Sequence, residues 1–219
     1  MPPTDIDASS RSGDAFEDLR DQALGCTRCR LAESRTQVVF GTGDPSADLM
    51  FVGEAPGAQE DRDGVPFVGR SGQLLDRLVG EEMGLTRDSF YIANVVKCRP
   101  PDNRDPKPDE IEACRPWLEA QIDLIEPEVI VTLGNFSSKL LLDTKEGITK
   151  VRGSVYDYRD RPDGGTVRLV PTFHPAAVLR GGGEPMSHMR ADLVRAKRVL
   201  ADATSGGDAG AGPTDGSGE

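Results

Sequence analysis

What most constrains this chain is a repeated alternation of short, almost wholly apolar runs with longer stretches of helical period. The runs DLMFVGEAPG (48–57), FYIANVVKC (90–98) and EVIVTLG (128–134) are apolar at successive positions, not at every second one. A strand with two apolar faces belongs in the middle of a sandwich, covered by helices above and below. SGQLLDRLVGEEMG (71–84), with Ser71 near its N-cap, PDEIEACRPWLEAQIDLIEP (108–127) and NFSSKLLLD (135–143) supply such helices. Two further strand-like runs, KVRGSVYDY (150–158) and TVRLVPTFHP (166–175), flank the turn sequence RPDGG. HPAAVLR (174–180) follows as a loop or helical turn and EPMSHMRADLVRAKRVLAD (184–202) as a closing helix. The expected fold is α/β, a three-layer αβα sandwich around a central, largely parallel sheet.

In such sheets ligands bind beyond the carboxyl ends of the strands. The GEAPG segment, Asn94 and His174 all fall at or just past an expected strand, so one crevice can hold them together. No GxGxxG follows the first strand and no GxxxxGK[ST] loop is present, which weighs against dinucleotide-dependent dehydrogenases and P-loop kinases.

At 219 residues and 37% hydrophobic, the chain suits one substantial core. Residues 1–13 and 203–219, rich in Gly, Ser, Asp and Pro, are expected to be disordered tails around a single domain at 14–202. That domain opens on the amphipathic stretch DAFEDLRDQAL (14–24). A net charge of −11 argues against nucleic-acid binding only if it is spread evenly, and it is not. Residues 1–21 hold six acids against Arg11 and Arg20, and residues 203–219 hold three acids and no base. The excess of 20 Arg over 6 Lys on an acidic chain fits an adaptation to high salt, as in a halophilic archaeon, and fits an ordinary acidic protein equally well. In molar salt the screening length shrinks to about 3 Å, and an acidic surface repels DNA far less. There is neither an apolar run of about 18 residues nor a basic-then-apolar leader. The chain is therefore expected in the cytoplasm, as a monomer and without a membrane partner.

The four cysteines form one pattern: Cys26-x2-Cys29, then Cys98, then Cys114. A CxxC pair sets two thiolates on one tight turn, and two distant cysteines complete a tetrahedral set. Disulfides are the weakest reading without a secretion signal. Spacing alone leaves structural zinc and iron–sulfur both open. A centre bound by Cys98 and Cys114 would brace the strand carrying Asn94 against the N-terminal helix.

Read in order, GEAPGAQED (53–61), PFVGRSGQLL (66–75), NVVKCRPPDNRDPKP (94–108), CRPWL (114–118) and HPAAVLR (174–180) resemble the family 4 uracil-DNA glycosylases of archaea and bacteria. The resemblance runs from about Cys26 to about Leu200. It implies an αβα sandwich, a 4Fe-4S cluster held by Cys26, Cys29, Cys98 and Cys114, and uracil-containing DNA, single- or double-stranded, as the partner. It also implies base-excision repair by hydrolysis of the N-glycosidic bond of deoxyuridine.

The residues carry chemical reasons for such a role. A base inside a duplex must be extruded into a pocket that stacks its face and reads its edge. Phe67 is the stacking candidate, and Asn94 the amide that pairs with the N3–H and O4 of uracil and mismatches cytosine. His174 supplies a donor for charge developing on the base. Glu54 is the candidate anion beside the sugar and the group that positions the attacking water, although the family 1 enzymes place an aspartate one position later, where Ala55 stands. Ala55 and Pro56 line the uracil pocket through their backbone. Family 1 excludes thymine with a tyrosine that matches Gly57 here, so another group must serve; Glu60 is one contributor and otherwise a surface acid. Arg70 and Ser71 at a helix start, and Leu179 and Arg180 in HPAAVLR, are the candidate DNA contacts, with Leu179 as a wedge. His188 is expected to be structural and Lys97 to touch a backbone phosphate.

Two other readings compete. A superfamily relative that binds uracil-DNA covalently needs a histidine in a basic loop, and RPPDNRDPKP has none. A non-catalytic metal-cluster DNA-binding module would bind without releasing uracil.

Overall fold

Leu49–Gly53 (β2) is buried at all five positions, as the apolar run requires. It pairs in parallel with Tyr91–Asn94 (β3) on one side and Val129–Leu133 (β4) on the other. Thr166–Thr172 (β6) continues the parallel sheet beyond β4. Two antiparallel edge strands close it: Thr42–Gly43 (β1) against β3, and Tyr156–Asp160 (β5) against β6. The order is β1-β3-β2-β4-β6-β5. The chain leaves β2 toward one edge and then crosses back to β4, so β2 and β4 flank a topological switch point. This computed structural model describes residues 8–205.

Helices cover both faces. Ala8–Leu24 (α1), Pro108–Ile125 (α4) and Asn135–Leu141 (α5) lie on one side, where Phe16, Trp117, Leu118 and Ile122 pack against Met50, Val52 and Tyr91. Arg70–Met83 (α3), Pro175–Gly181 (α7) and Gly183–Ser205 (α8) lie on the other, where Leu75, Leu78, Met189 and Leu193 pack against Leu49, Phe51 and Val131. Alternate residues of β2 thus enter different cores, the strand period of two at work. Each fully buried large aliphatic or aromatic side chain contributes about 1.5–3 kcal/mol, so the two faces stabilise the sheet jointly. Ala58–Asp63 (α2) and Ile148–Val151 (α6) are short connecting helices.

The three-layer sandwich agrees with the expectation; several boundaries do not. The first helix begins at Ala8 and the last ends at Ser205, so parts of both expected tails are helical. Residues 1–7 and 206–219 lie outside the described residues. The strand expected to reach Cys98 stops at Asn94: the Val95 N–H makes a last ladder bond to Gly53 O (3.0 Å), and the Val96 N–H then also turns to this side, to Glu54 O (3.1 Å), which breaks the alternation. Lys150 and Val151, expected in a strand, form the end of α6. Among the described residues, no helix is long and apolar enough to cross a membrane.

Candidate active site

The carboxyl ends of β2, β3 and β6 open into a cleft of about 450 Å³. Glu54, Ala55, Pro56, Phe67, Asn94 and His174 all line it, so the six residues expected at the pocket are brought together.

Asn94 ends β3, opposite Gly53 at the end of β2. Its side chain is 2% exposed, and among the described residues its Oδ1 has no hydrogen-bond partner. Buried polar atoms are nearly always paired, so an orphaned amide oxygen on a cleft wall is set for a partner from outside the protein. Gly53 makes the arrangement possible. A Cβ there would stand 2.4 Å from Asn94 Oδ1 and 2.6 Å from Phe67 Cζ.

Phe67 takes a left-handed backbone, φ 57°, which is costly for an aromatic residue and holds the ring in one place. The adjoining α3 can start beneath it only because residue 72 is glycine; a Cβ at Gly72 would stand 1.6 Å from the Phe67 carbonyl oxygen. The Phe67 and His174 rings lie 5.9 Å apart, tilted by 35°.

His174 is the N-cap of α7, and its Nδ1 accepts the Ala176 N–H at 3.1 Å. An Nδ1 that accepts is unprotonated, which puts the proton of the neutral ring on Nε2. Burial pulls the imidazole down to about 4 and Arg180 pulls the same way, with Glu60 opposing. The ring therefore stays a neutral donor at physiological pH.

Glu54 has the opposite displacement. Burial first, and the charge of Asp105 second, push its carboxyl up to about 7. A carboxyl that ionises near neutrality suits a general base. Its backbone is fixed too, since Glu54 O accepts the Val96 N–H.

Glu60, expected as a thymine-side contributor or a surface acid, joins two loops. One carboxylate oxygen accepts the Gly57 N–H at 3.1 Å and the other the Gly69 N–H at 3.0 Å. The GEAPG loop and the loop leading into α3 are thereby tied together.

The outer residues separate. Ser71 and Arg180 line the cleft; Arg70, the first residue of α3, is exposed and does not. Leu179 is 42% exposed on α7, beside the cleft and outside it. Lys97 does not match its expectation: it is 1% exposed, so it cannot reach a phosphate.

Sequence reasoning missed one wall altogether, made by Pro100, Asn103, Arg104 and Asp105. Arg104 makes a two-pronged ion pair with the fully buried Glu110 (2.6 and 2.8 Å), which also accepts the Lys107 N–H and caps α4. Asp102 and Asn103 both take left-handed φ (55° and 54°), a conformation these two side chains tolerate. The Asp-Asn pair amid prolines was the available signal.

Cys26, Cys29, Cys98 and Cys114 line one apolar cavity between α1, α4 and the segment after β3. Three of the sulfurs receive N–H groups: Cys26 from Trp117 Nε1 (3.3 Å), Cys98 from Arg35 Nη1 (3.3 Å) and Cys114 from the Lys97 amide (3.2 Å). Among the described residues, no group of three or more His, Cys, Asp or Glu is drawn close enough to hold a single metal ion.

Comparison with known proteins agrees with this geometry. The family model described as the uracil DNA glycosylase superfamily matches residues 40–196. A type-4 uracil-DNA glycosylase of Sulfurisphaera tokodaii is 48% identical over 76% of this chain and 76% of its own length. One from Saccharolobus solfataricus is 45% identical over 76% and 78%. One from Thermotoga maritima is 43% identical over 84% of this chain and 94% of its own. An αβα sandwich with its cleft at the switch point, and a family match across all six strands of the sheet, lead to one assignment: the chain belongs to the uracil-DNA glycosylase superfamily and groups with its type-4 members.

Proposed function

We propose that this chain is a monofunctional uracil-DNA glycosylase of base-excision repair, which hydrolyses the N-glycosidic bond of deoxyuridine in DNA and leaves an abasic site. The observation that carries the reading is the pairing of an unpartnered buried amide oxygen on Asn94 with a neutral His174 whose proton is on Nε2. Uracil offers an N3–H to the first and an O2 acceptor to the second. Cytosine has no N3–H to give.

When the C1′–N1 bond breaks, its electron pair stays with the uracil and the sugar becomes electron-poor. His174 donates to the charge that gathers on O2, which matters most in the transition state. Water supplies the oxygen that bonds to C1′, and its proton passes to Glu54, whose carboxylate also faces the positive sugar. The released uracil anion then takes a proton from solvent. Phe67 stacks on the extruded base, with the Ala55–Pro56 backbone as the opposite wall. The Glu60 carboxylate, held against Gly57 where a Cβ would stand 2.7 Å from its Oε2, is the group that fills the space of a thymine methyl.

Arg70, Ser71 and Arg180 are assigned to backbone phosphates at the cleft mouth and Leu179 to the gap left by the extruded base. The four cysteines are assigned to a 4Fe-4S cluster. The N–H groups aimed at three sulfurs suit thiolates, and the lining of one cavity by all four cysteines suits a cluster held by four of them. The cluster supplies a structural brace and takes no part in the hydrolysis.

The test is a single-uracil oligonucleotide, single-stranded and duplex. Free uracil and an alkali-labile site are expected; tight binding with no release would sink the enzymatic reading. Purified protein should be brown, with absorption at about 400 nm. A colourless protein with one zinc per chain would refute the cluster.

A further inference from the structure

Lys97 is among the largest fully buried side chains of the protein, and neither the proposed chemistry nor the proposed DNA contacts use it. Its Nζ donates to two neutral oxygens, the Asn94 carbonyl at 2.9 Å and Gln121 Oε1 at 2.5 Å, and to no carboxylate among the described residues. Gln121, itself fully buried, passes the network on through its amide nitrogen to Phe40 O (2.9 Å) and the Tyr91 hydroxyl (3.1 Å). A buried ammonium without a countercharge is expensive, by several kcal/mol for an isolated ion. Lys97 lines the same cavity as the four cysteines, and Cys114 and Cys98 are the groups whose negative charge favours its ammonium.

The position of Lys97 in the chain matters as much as its charge. Five consecutive residues, 94–98, run from the pocket to the cysteine site. Asn94 offers its amide to the base; the Val95 and Val96 N–H groups hold Gly53 O and Glu54 O. The Lys97 amide donates to Cys114 Sγ and its carbonyl accepts the Val39 N–H at 2.8 Å. Cys98 then enters the four-cysteine cavity.

We propose that Lys97 is a positioning residue that couples the cysteine site to the uracil-reading edge: its buried ammonium is neutralised by the thiolates and, so held, clamps the Asn94 carbonyl. The inference rests on the readings of the cysteines as cluster ligands and of Asn94 as the base reader. It makes the thiolate charge part of what keeps the recognition amide in register.

The experiment compares the full-length protein with Lys97→Met, which removes charge and hydrogen bonds, and Lys97→Gln, which removes charge and keeps a donor. Iron per chain, the cluster reduction potential and inhibition by free uracil are measured on each. Loss of a positive charge beside the cluster makes reduction harder, so both variants should shift to a more negative potential. Uracil inhibition should weaken about tenfold in Lys97→Met and less in Lys97→Gln, because a neutral–neutral hydrogen bond is about half as strong as a charged one. If Lys97→Met does not fold, Lys97→Gln carries the same two readouts. A parental potential and parental uracil affinity in iron-loaded Lys97→Gln would overturn the coupling alone. A parent without iron, or an Asn94→Ala protein with undiminished uracil affinity, would overturn the underlying readings and the coupling with them.

Discussion

Asn94→Ala should separate stability from activity, because the role proposed for the residue sets its amide toward a ligand at the protein's expense. Its Oδ1 is buried and has no partner among the described residues. A buried polar atom left unsatisfied costs roughly 1–3 kcal/mol, and truncation removes that cost together with the atom. The space vacated adjoins an open cleft, so water can enter and little cavity penalty arises. Folding stability should therefore hold or rise, by up to about 2 kcal/mol. For a chain of this length that corresponds to a Tm unchanged or raised by roughly 4–8 °C. Catalysis should move the other way. Two hydrogen bonds to the uracil edge at about 1–1.5 kcal/mol each are lost, which lowers kcat/KM by about 30- to 150-fold. Discrimination against cytosine shrinks at the same time. Differential scanning calorimetry and steady-state uracil release on one preparation measure both. A Tm lowered by more than about 4 °C, or a kcat/KM within threefold of the parent, would refute the reasoning.

Gly53→Ala should place a methyl against both Asn94 and Phe67, at a cost of about 1–3 kcal/mol in stability and at least a hundredfold in kcat/KM; circular dichroism melts and the release assay check it. Because the Glu54 carboxyl is pushed up to about 7, kcat/KM should rise with pH through that region as the carboxylate forms and level off above it; Glu54→Gln should be slow and flat there. An unchanged acid limb in that variant would assign the ionisation elsewhere. Leu179→Ala should lower activity on duplex by about tenfold and leave single-stranded substrate within twofold, as expected when only strand opening needs the wedge, and equal losses on both would remove it from that role.

The strands β2 and β4 were legible because every residue in them is buried, which leaves an almost wholly apolar run in the sequence, broken in β4 by Thr132 alone. The short helix α2, AQEDRD, was not, since it carries only one apolar residue and no period can show. The clasp made by Glu60 depends on two backbone N–H groups nine residues or fewer away, and backbone partners leave no trace in side-chain pattern. Asn94 and His174 could be located past expected strands, but not the orphaned oxygen of the first or the tautomer of the second. Lys97 misled for a physical reason. A lysine near a DNA-binding loop is ordinarily solvated, and only the packing of α4 over β3 turns this one inward, toward Gln121. The 99–107 wall was hidden because its geometry rests on an ion pair with a glutamate in the next helix.

The His174 cap has a consequence for how the protein fails. The contact that selects the donor tautomer is the same contact that seals the first turn of α7, and α7 carries Leu179 and Arg180. Adding a proton at Nδ1 would erase the acceptor, remove the side-chain cap of that turn and strip the ring of neutrality in one event. On the roles proposed for His174, Leu179 and Arg180, chemistry and the grip on DNA are thus wired to a single fuse, and a chain with α7 correctly seated is already armed with its proton on the reactive side.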